Sequence, residues 1–249
     1  MLKAYLECPQ RYHAGEEFKR TPAIVLGSLV HTLVLEPHKF EAQYAIEPKC
    51  DTRSKAGKTL AEQLEKTRGN REGIDEEQLK TAKAIVASLE MHSEASALLN
   101  LRGIEKEISG FYLDDESGLM CKYRPDARTD SVVLDVKTTS DASAEGFSKS
   151  IVNYGYHISA AHYLAGESIA RSCHHSRFIL IAVETTAPYP VAVYQLSERA
   201  IEEGMNVRRE ALNRLATSIK TNYWPSYNDG FAVEIDLPRW AYKKEDFYA

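Results

Sequence analysis

The feature that most constrains the fold is a change of hydrophobic period at Ile104. Before it, apolar residues recur at helical spacing, with Leu79, Ala82, Ile85 or Val86, and Leu89 on one face of 76–99. After it the spacing falls towards two. Segments 104–113 and 118–124 flank Asp114-Asp115-Glu116-Ser117-Gly118, a turn sequence that predicts a hairpin. The run Val132-Val133-Leu134-Asp135-Val136 predicts a third strand, and 177–184 and 190–196 predict two more. Helical spacing returns over 141–170, with a break near 153–155, and again from an N-cap at Ser197 to about Lys220. At the front, 1–20 predicts a short helix or loop stopped by Pro22, followed by an apolar helix over 23–36 closed by Pro37. The order α-α-β-β-β-α-β-β-α predicts an α/β fold with a mixed sheet flanked by helices, as a single domain over 1–249. Residues 223–249 form an aromatic tail that includes Trp224, Tyr227, Trp240, Tyr242, Phe247 and Tyr248.

Composition narrows the function classes. With 43% hydrophobic and 27% charged residues the chain is an ordinary globular one rather than a disordered one. The net charge of −5 weighs against nucleic acid unless positive charge is gathered on one surface. Residues 49–73 carry a local excess of three positive charges and are a candidate mobile or ligand-facing excursion, with a solvated loop or helix as the plainer alternative. Cys8, Cys50, Cys121 and Cys173 are far apart, which predicts reduced thiols and neither a zinc knuckle nor a disulfide framework. No run approaches the ~20 apolar residues of a membrane span. A cytoplasmic protein with no membrane partner is the expectation.

The chemistry concentrates in Arg124-Pro125-Asp126 and Asp135-Val136-Lys137. Strand alternation puts Asp135 and Lys137 on one face. A carboxylate inside an apolar strand is costly unless paired or bound to metal; the plainer reading is a buried Asp–Lys ion pair. The reaction that suits the set is phosphodiester hydrolysis. Asp126 and Asp135 offer oxygens to a hard divalent cation, the Val136 carbonyl offers another, and Lys137 orients water or stabilises developing charge. Glu107 and Glu105 fall on the same face of an earlier strand, and spacing does not choose between them. His31, four residues after Gly27 on an apolar helix, is either a core histidine or a metal ligand.

Taken in order, Gly27-x-x-x-His31 with Glu36-Pro37, Glu107-Ile-Ser, Arg124-Pro-Asp126, Asp135-Val-Lys137-Thr-Thr, Tyr156-His-x-x-Ala-Ala-His-Tyr163, Trp224-Pro-Ser-Tyr227 and Leu237-Pro-Arg-Trp240 resemble the PD-(D/E)xK nuclease superfamily. The resemblance is to its RecB-like branch, and within that to the RecE-type (exonuclease VIII) phage and prophage exonucleases. It implies a restriction-endonuclease-like core. Metal ligation falls to His31, Asp126, Asp135 and the Val136 carbonyl, and Lys137 becomes the catalytic lysine. Glu107 takes the motif glutamate's place beside them. The family's QxxxY motif lands on Ser159 and Tyr163, so a shorter hydroxyl replaces the amide; His157 and His162 are nearby candidates to compensate.

The implied activity is Mg2+-dependent 5′→3′ digestion of one strand of linear double-stranded DNA, with Mn2+ as a substitute cation. It would leave 3′ single-stranded tails for a single-strand annealing protein in recombination. The implied assembly is a homo-oligomer, a toroidal tetramer threaded on double-stranded DNA ends. Arg124, Arg128, Lys149, Arg208, Arg209 and Arg214 are candidates for its basic channel, with Arg124 and Arg128 as DNA contacts. The alternatives are a RecB-like DNA endonuclease and a catalytically impaired DNA-binding protein.

Overall fold

The computed structural model describes residues 2–15, 20–51, 53–172, 174–238 and 241–242. Cys173, Trp240, Phe247 and Tyr248 lie outside them. The first residues form two short helices, α1 (Leu2–Glu7) and α2 (Pro9–Ala14). Pro22 opens the next helix rather than stopping the previous one. It occupies the first turn of α3 (Pro22–Leu35), where a missing N–H costs nothing, and the Thr21 hydroxyl caps the helix by accepting from the Ile24 N–H. A short helix α4 (Phe40–Gln43) leads into strand β1 (Tyr44–Ile46). The polar excursion contains helix α5 (Lys55–Arg68), capped by Ser54, and then β2 (Glu72–Ile74), which pairs in parallel with β1. The helical alternative therefore holds for most of that segment.

The amphipathic stretch after it is divided into α6 (Glu76–Met91) and α7 (Ser93–Leu99), because His92 leaves helical geometry and caps the second helix. Asp75 and Gln78 close a capping box at the start of α6. The strand expected over 104–113 is also divided, into β3 (Glu105–Lys106) and β4 (Gly110–Asp114). The interruption is Glu107, a non-glycine residue at φ 56°. The hairpin forms as expected between β4 and β5 (Leu119–Tyr123), but as its own two-stranded sheet.

The central sheet adds β6 (Ala127–Arg128) and β7 (Val133–Thr139). The chain then runs through α8 (Ala144–Tyr154) and α9 (Tyr156–Ala170), broken at Gly155, to β8 (Phe178–Glu184) and β9 (Val191–Gln195). The strand order is β3-β6-β7-β8-β9, with β7 and β8 parallel and the other pairs antiparallel. The last helix is α10 (Glu198–Thr221). This is the mixed α/β sheet flanked by helices that the sequence predicts.

Alternation along β7 and β8 divides the core. Leu134, Val136, Ile179, Ile181 and Val183 pack with Leu29 of α3 and Ile85 of α6 on one face. Val133, Phe178, Leu180 and Ala182 pack with Phe147 of α8, Leu164 of α9 and Ile201 of α10 on the other. Among the described residues no helix is long and apolar enough to cross a membrane.

Candidate active site

Three elements converge on the middle of β7. Helix α3 crosses it closely at Gly27, where an added Cβ would stand 3.0 Å from the Thr138 hydroxyl oxygen. One turn later His31 reaches the strand's backbone. Its Nε2 lies 2.7 Å from the Val136 carbonyl oxygen, and its Nδ1 lies 3.5 Å from Asp126 Oδ2. A carbonyl only accepts, so Nε2 carries the proton and Nδ1 presents a lone pair to a carboxylate oxygen. Two such atoms face each other favourably only across a cation or a second ring proton.

Asp126, between β5 and β6, is buried and accepts from the Val136 N–H at 2.6 Å. This bond fixes its carboxylate against β7. Glu107 is presented by the kink after β3, its own N–H donating to the Asp126 carbonyl at 3.0 Å. A left-handed conformation at a non-glycine residue is costly and is found where the surroundings require it. Here it turns Glu107 away from the face of Glu105, which resolves the choice that spacing left open: Glu105 faces the buried Arg128, and Glu107 faces His31 and Asp126.

One ligand atom from each of His31, Glu107 and Asp126 lies within 4.8 Å of the other two. This donor set, one imidazole and two carboxylates, suits a divalent cation. Burial and then the charge of Asp126 push the Glu107 carboxyl above its ordinary pKa, against the pull of Arg124. A buried and a half-buried carboxylate are thus left short of positive charge. Asp135 does not join the cluster. It points to the α8–α9 side of the sheet, where its carboxylate is ion-paired with Lys137. Burial pushes Asp135 upward, against Lys137. Burial also works against the Lys137 ammonium, but Asp135 and Asp126 outweigh it and hold Lys137 charged. That ammonium lies 5.3 Å from the centre of the Tyr156 ring.

Arg124 caps the acidic cluster, with Nε 2.5 Å from Glu107 Oε2 and Nη2 3.3 Å from Glu36 Oε2. Glu36, at the C-terminal end of α3, therefore belongs to the rim of the site. It faces a cavity of about 510 Å³ that is also lined by His31, Glu107 and Arg124.

Other expected contacts lie elsewhere. Arg128 is buried and ion-paired with Glu105 and with the fully buried Glu167, which also binds Arg171. It is an internal residue rather than a surface contact for DNA. Arg208 and Arg209 are both bound to Asp114 of the hairpin, and Lys149 and Arg214 make local pairs with Glu145 and Glu210. Of the expected channel residues, only Arg124 stands at the site.

Ser159 and Tyr163 are one turn apart on α9. Burial and then Asp135 push the Tyr163 hydroxyl up to about 12, so it remains a proton donor at neutral pH. His157 and His162 have structural partners. His157 Nδ1 donates to the Ile151 carbonyl, and His162 Nε2 donates to the Lys122 carbonyl while its Nδ1 faces the Tyr112 hydroxyl. Sequence spacing gives little sign of the Arg128–Glu167–Arg171 network. Its one local signal is the i,i+4 spacing of Glu167 and Arg171.

Comparison with known proteins bears on the fold and the family. No curated protein matches the sequence. The crystal structure of a "Putative exonuclease" from Eubacterium rectale superposes with a TM-score of 0.60 at 12% identity, covering 93% of this chain and 84% of that one. A phage-related exonuclease from Haemophilus somnus 129PT, also at 12% identity, covers 78% of this chain and 94% of its own with a TM-score of 0.35. Residues 1–234 match the family described as "PDDEXK-like domain of unknown function (DUF3799)". The chain belongs to that PDDEXK-like family, and its mixed sheet carries the restriction-endonuclease-like fold.

Proposed function

We propose that the protein is a divalent-metal-dependent exodeoxyribonuclease that digests one strand of linear double-stranded DNA in the 5′→3′ direction. The observation that carries this reading is the convergence of His31, Glu107 and Asp126 beside the Asp135–Lys137 pair in a PDDEXK-like chain. His31 through Nδ1, Glu107 and Asp126 hold the cation, the Val136 carbonyl accepts from His31 Nε2–H instead of ligating it, and Asp135 stays outside the set, paired with Lys137. When bound, Mg2+, or Mn2+ in its place, supplies Lewis-acid polarisation of the phosphate and a lowered pKa for water.

The chain's own groups do the rest. Lys137, held charged by its carboxylate neighbours, places a compact positive charge beside the phosphate, where it stabilises developing negative charge. Arg124 balances Glu107 and Glu36 in the free protein and offers its guanidinium to a phosphate at the cavity rim. Tyr163 offers a hydrogen-bond donor, its hydroxyl kept neutral by burial and then by Asp135. The reading extends to a ring-shaped homo-oligomer, a tetramer, acting in the cytoplasm and leaving 3′ tails for a single-strand annealing protein.

The test uses linear duplex DNA labelled at either end and closed circular duplex, each with Mg2+ or EDTA. Stepwise Mg2+-dependent loss from 5′ ends is expected, and Lys137→Ala should abolish it. Cutting of closed circles would make the protein an endonuclease. Binding without hydrolysis would make it a DNA-binding protein with an impaired site.

A further inference from the structure

A second cavity, about 480 Å³, lies on the other side of Arg124, between α1, the hairpin strand β5, α9 and α10. Its size falls within the roughly 300–1,000 Å³ typical of small-ligand sites. Its chemistry is opposite to that of the acidic cavity. Among the described residues that line it there is no Asp or Glu, in a chain of net charge −5, while Lys3, Lys122 and Arg124 bring cations to it, Lys3 paired with Glu7 and Arg124 with Glu107 and Glu36 outside the lining. Tyr12, Tyr154 and Tyr163 supply aromatic rings. Leu212, Leu215 and Ile219 of α10 form an apolar wall.

Two features tie this cavity to the reacting centre. Arg124 lines both cavities. Tyr154, 65% exposed, stacks on Tyr156 with ring centres 5.6 Å apart and planes 24° apart, and Tyr156 in turn lies over Lys137. Gly155, at φ 69° between α8 and α9, allows the two tyrosines that flank it to turn towards each other.

An apolar wall, the exposed Tyr154 ring and cations whose carboxylate partners lie outside the cavity are complementary to a nucleotide, whose base stacks and whose phosphate is anionic. We propose that this cavity receives an unpaired nucleotide of the strand being cut, with its base against Tyr154 and its phosphate at Arg124 and Lys3. The proposal rests on the nuclease reading and adds where the strand lies. It makes Tyr154 a positioning residue: the ring fixes the strand so that the next phosphate meets Lys137 and the acidic cluster.

The test is a binding cycle with a duplex bearing a short 5′ single-stranded tail, labelled with a fluorophore at the far end and titrated in EDTA so that no strand is cut. Tails carry an abasic site at each unpaired position in turn. Losing one stacked base should weaken binding about tenfold. Tyr154→Ala should weaken binding of the intact tail by a similar factor. Combining Tyr154→Ala with the most sensitive abasic position should cost no more than either change alone. Ile219→Glu, which puts a carboxylate on the exposed wall, should also weaken binding while far-ultraviolet circular dichroism is unchanged. Losses that multiply independently, or abasic tails that bind like intact ones, would overturn the proposal. If wild-type protein hydrolyses linear duplex in Mg2+ while either of those results holds, only this proposal fails. If it neither binds nor hydrolyses DNA, the nuclease reading fails first.

Discussion

Replacing Arg128 by Ala separates two roles that the same residue could have. As a DNA contact, Arg128 would be exposed, and its loss would weaken binding while leaving stability unchanged. The structure instead places its guanidinium between Glu105 and Glu167, and Glu167 is 0% exposed. Removing one partner of a buried pair costs about 3–5 kcal/mol because the other charge stays behind uncompensated. Arg171 still binds both Glu167 and Glu105, so the lower end of that range applies, about 3 kcal/mol. An unfolding entropy of about 2.1 cal/mol/K per residue gives about 0.5 kcal/mol/K for the whole chain, so the midpoint should fall by about 6 °C. Calorimetry checks that value. The salt dependence of DNA binding checks the other role, since each lost phosphate contact makes the log–log slope shallower by about 0.9. The expected outcome is a lowered midpoint with an unchanged slope. Pairing Arg128→Met with Glu167→Leu should recover much of the loss, because well-packed apolar groups replace buried ion pairs at little cost. An unchanged midpoint with a shallower slope would refute the reasoning.

Two further predictions rest on the hairpin and on the α3 crossing. Asp114 is buried and binds Arg208, Arg209 and Ser117; burial raises its pKa, but those partners outweigh it and hold the carboxyl well below its ordinary range. Its stabilising effect is therefore full above the unfolded pKa of about 3.9 and is lost as pH falls towards the lower folded value. Urea titrations between pH 6 and pH 2 should show a steep acid loss that Asp114→Asn, destabilised by about 3 kcal/mol at neutral pH, shows to a smaller degree; parallel curves would contradict this. Gly27→Val should cost about 1–3 kcal/mol by overpacking α3 against Thr138, and should weaken cation binding more than Gly27→Ala does. Chemical denaturation and cation titration measure the two effects.

Much of the site was legible because strand alternation is a local rule. It placed Asp135 and Lys137 together, and the Asp114–Gly118 turn marked the hairpin. The ordered motifs picked out His31, Asp126 and Glu107 through resemblance. Where local rules failed, the cause was a backbone or tertiary event. Glu105 and Glu107 look equivalent at period two, and only the left-handed kink at Glu107 separates them. Arg128 reads as a surface cation because its partner Glu167 is on a helix far along the chain. Arg208 and Arg209 read as channel residues for the same reason, their common partner being Asp114 across the fold. Pro22 is ambiguous in sequence for a different reason. Proline restricts both ends of a helix, and the Thr21 before it, an N-cap residue, marks a beginning rather than an end.

The central claim is that His31, Glu107 and Asp126 hold a divalent cation on which phosphodiester hydrolysis depends. The most direct measurement is the rate of linear duplex hydrolysis as Mg2+ is titrated into EDTA-treated protein, for wild type and Asp126→Asn. Asn retains a carbonyl oxygen to accept from the Val136 N–H, so the local backbone is held while one anionic ligand is removed. Saturable Mg2+ activation is expected in the wild type, with a loss of at least a hundredfold in the variant, of the order seen when a preorganised electrostatic group is deleted. Hydrolysis that proceeds equally in EDTA, or an Asp126→Asn protein that cuts at the wild-type rate, would contradict that claim.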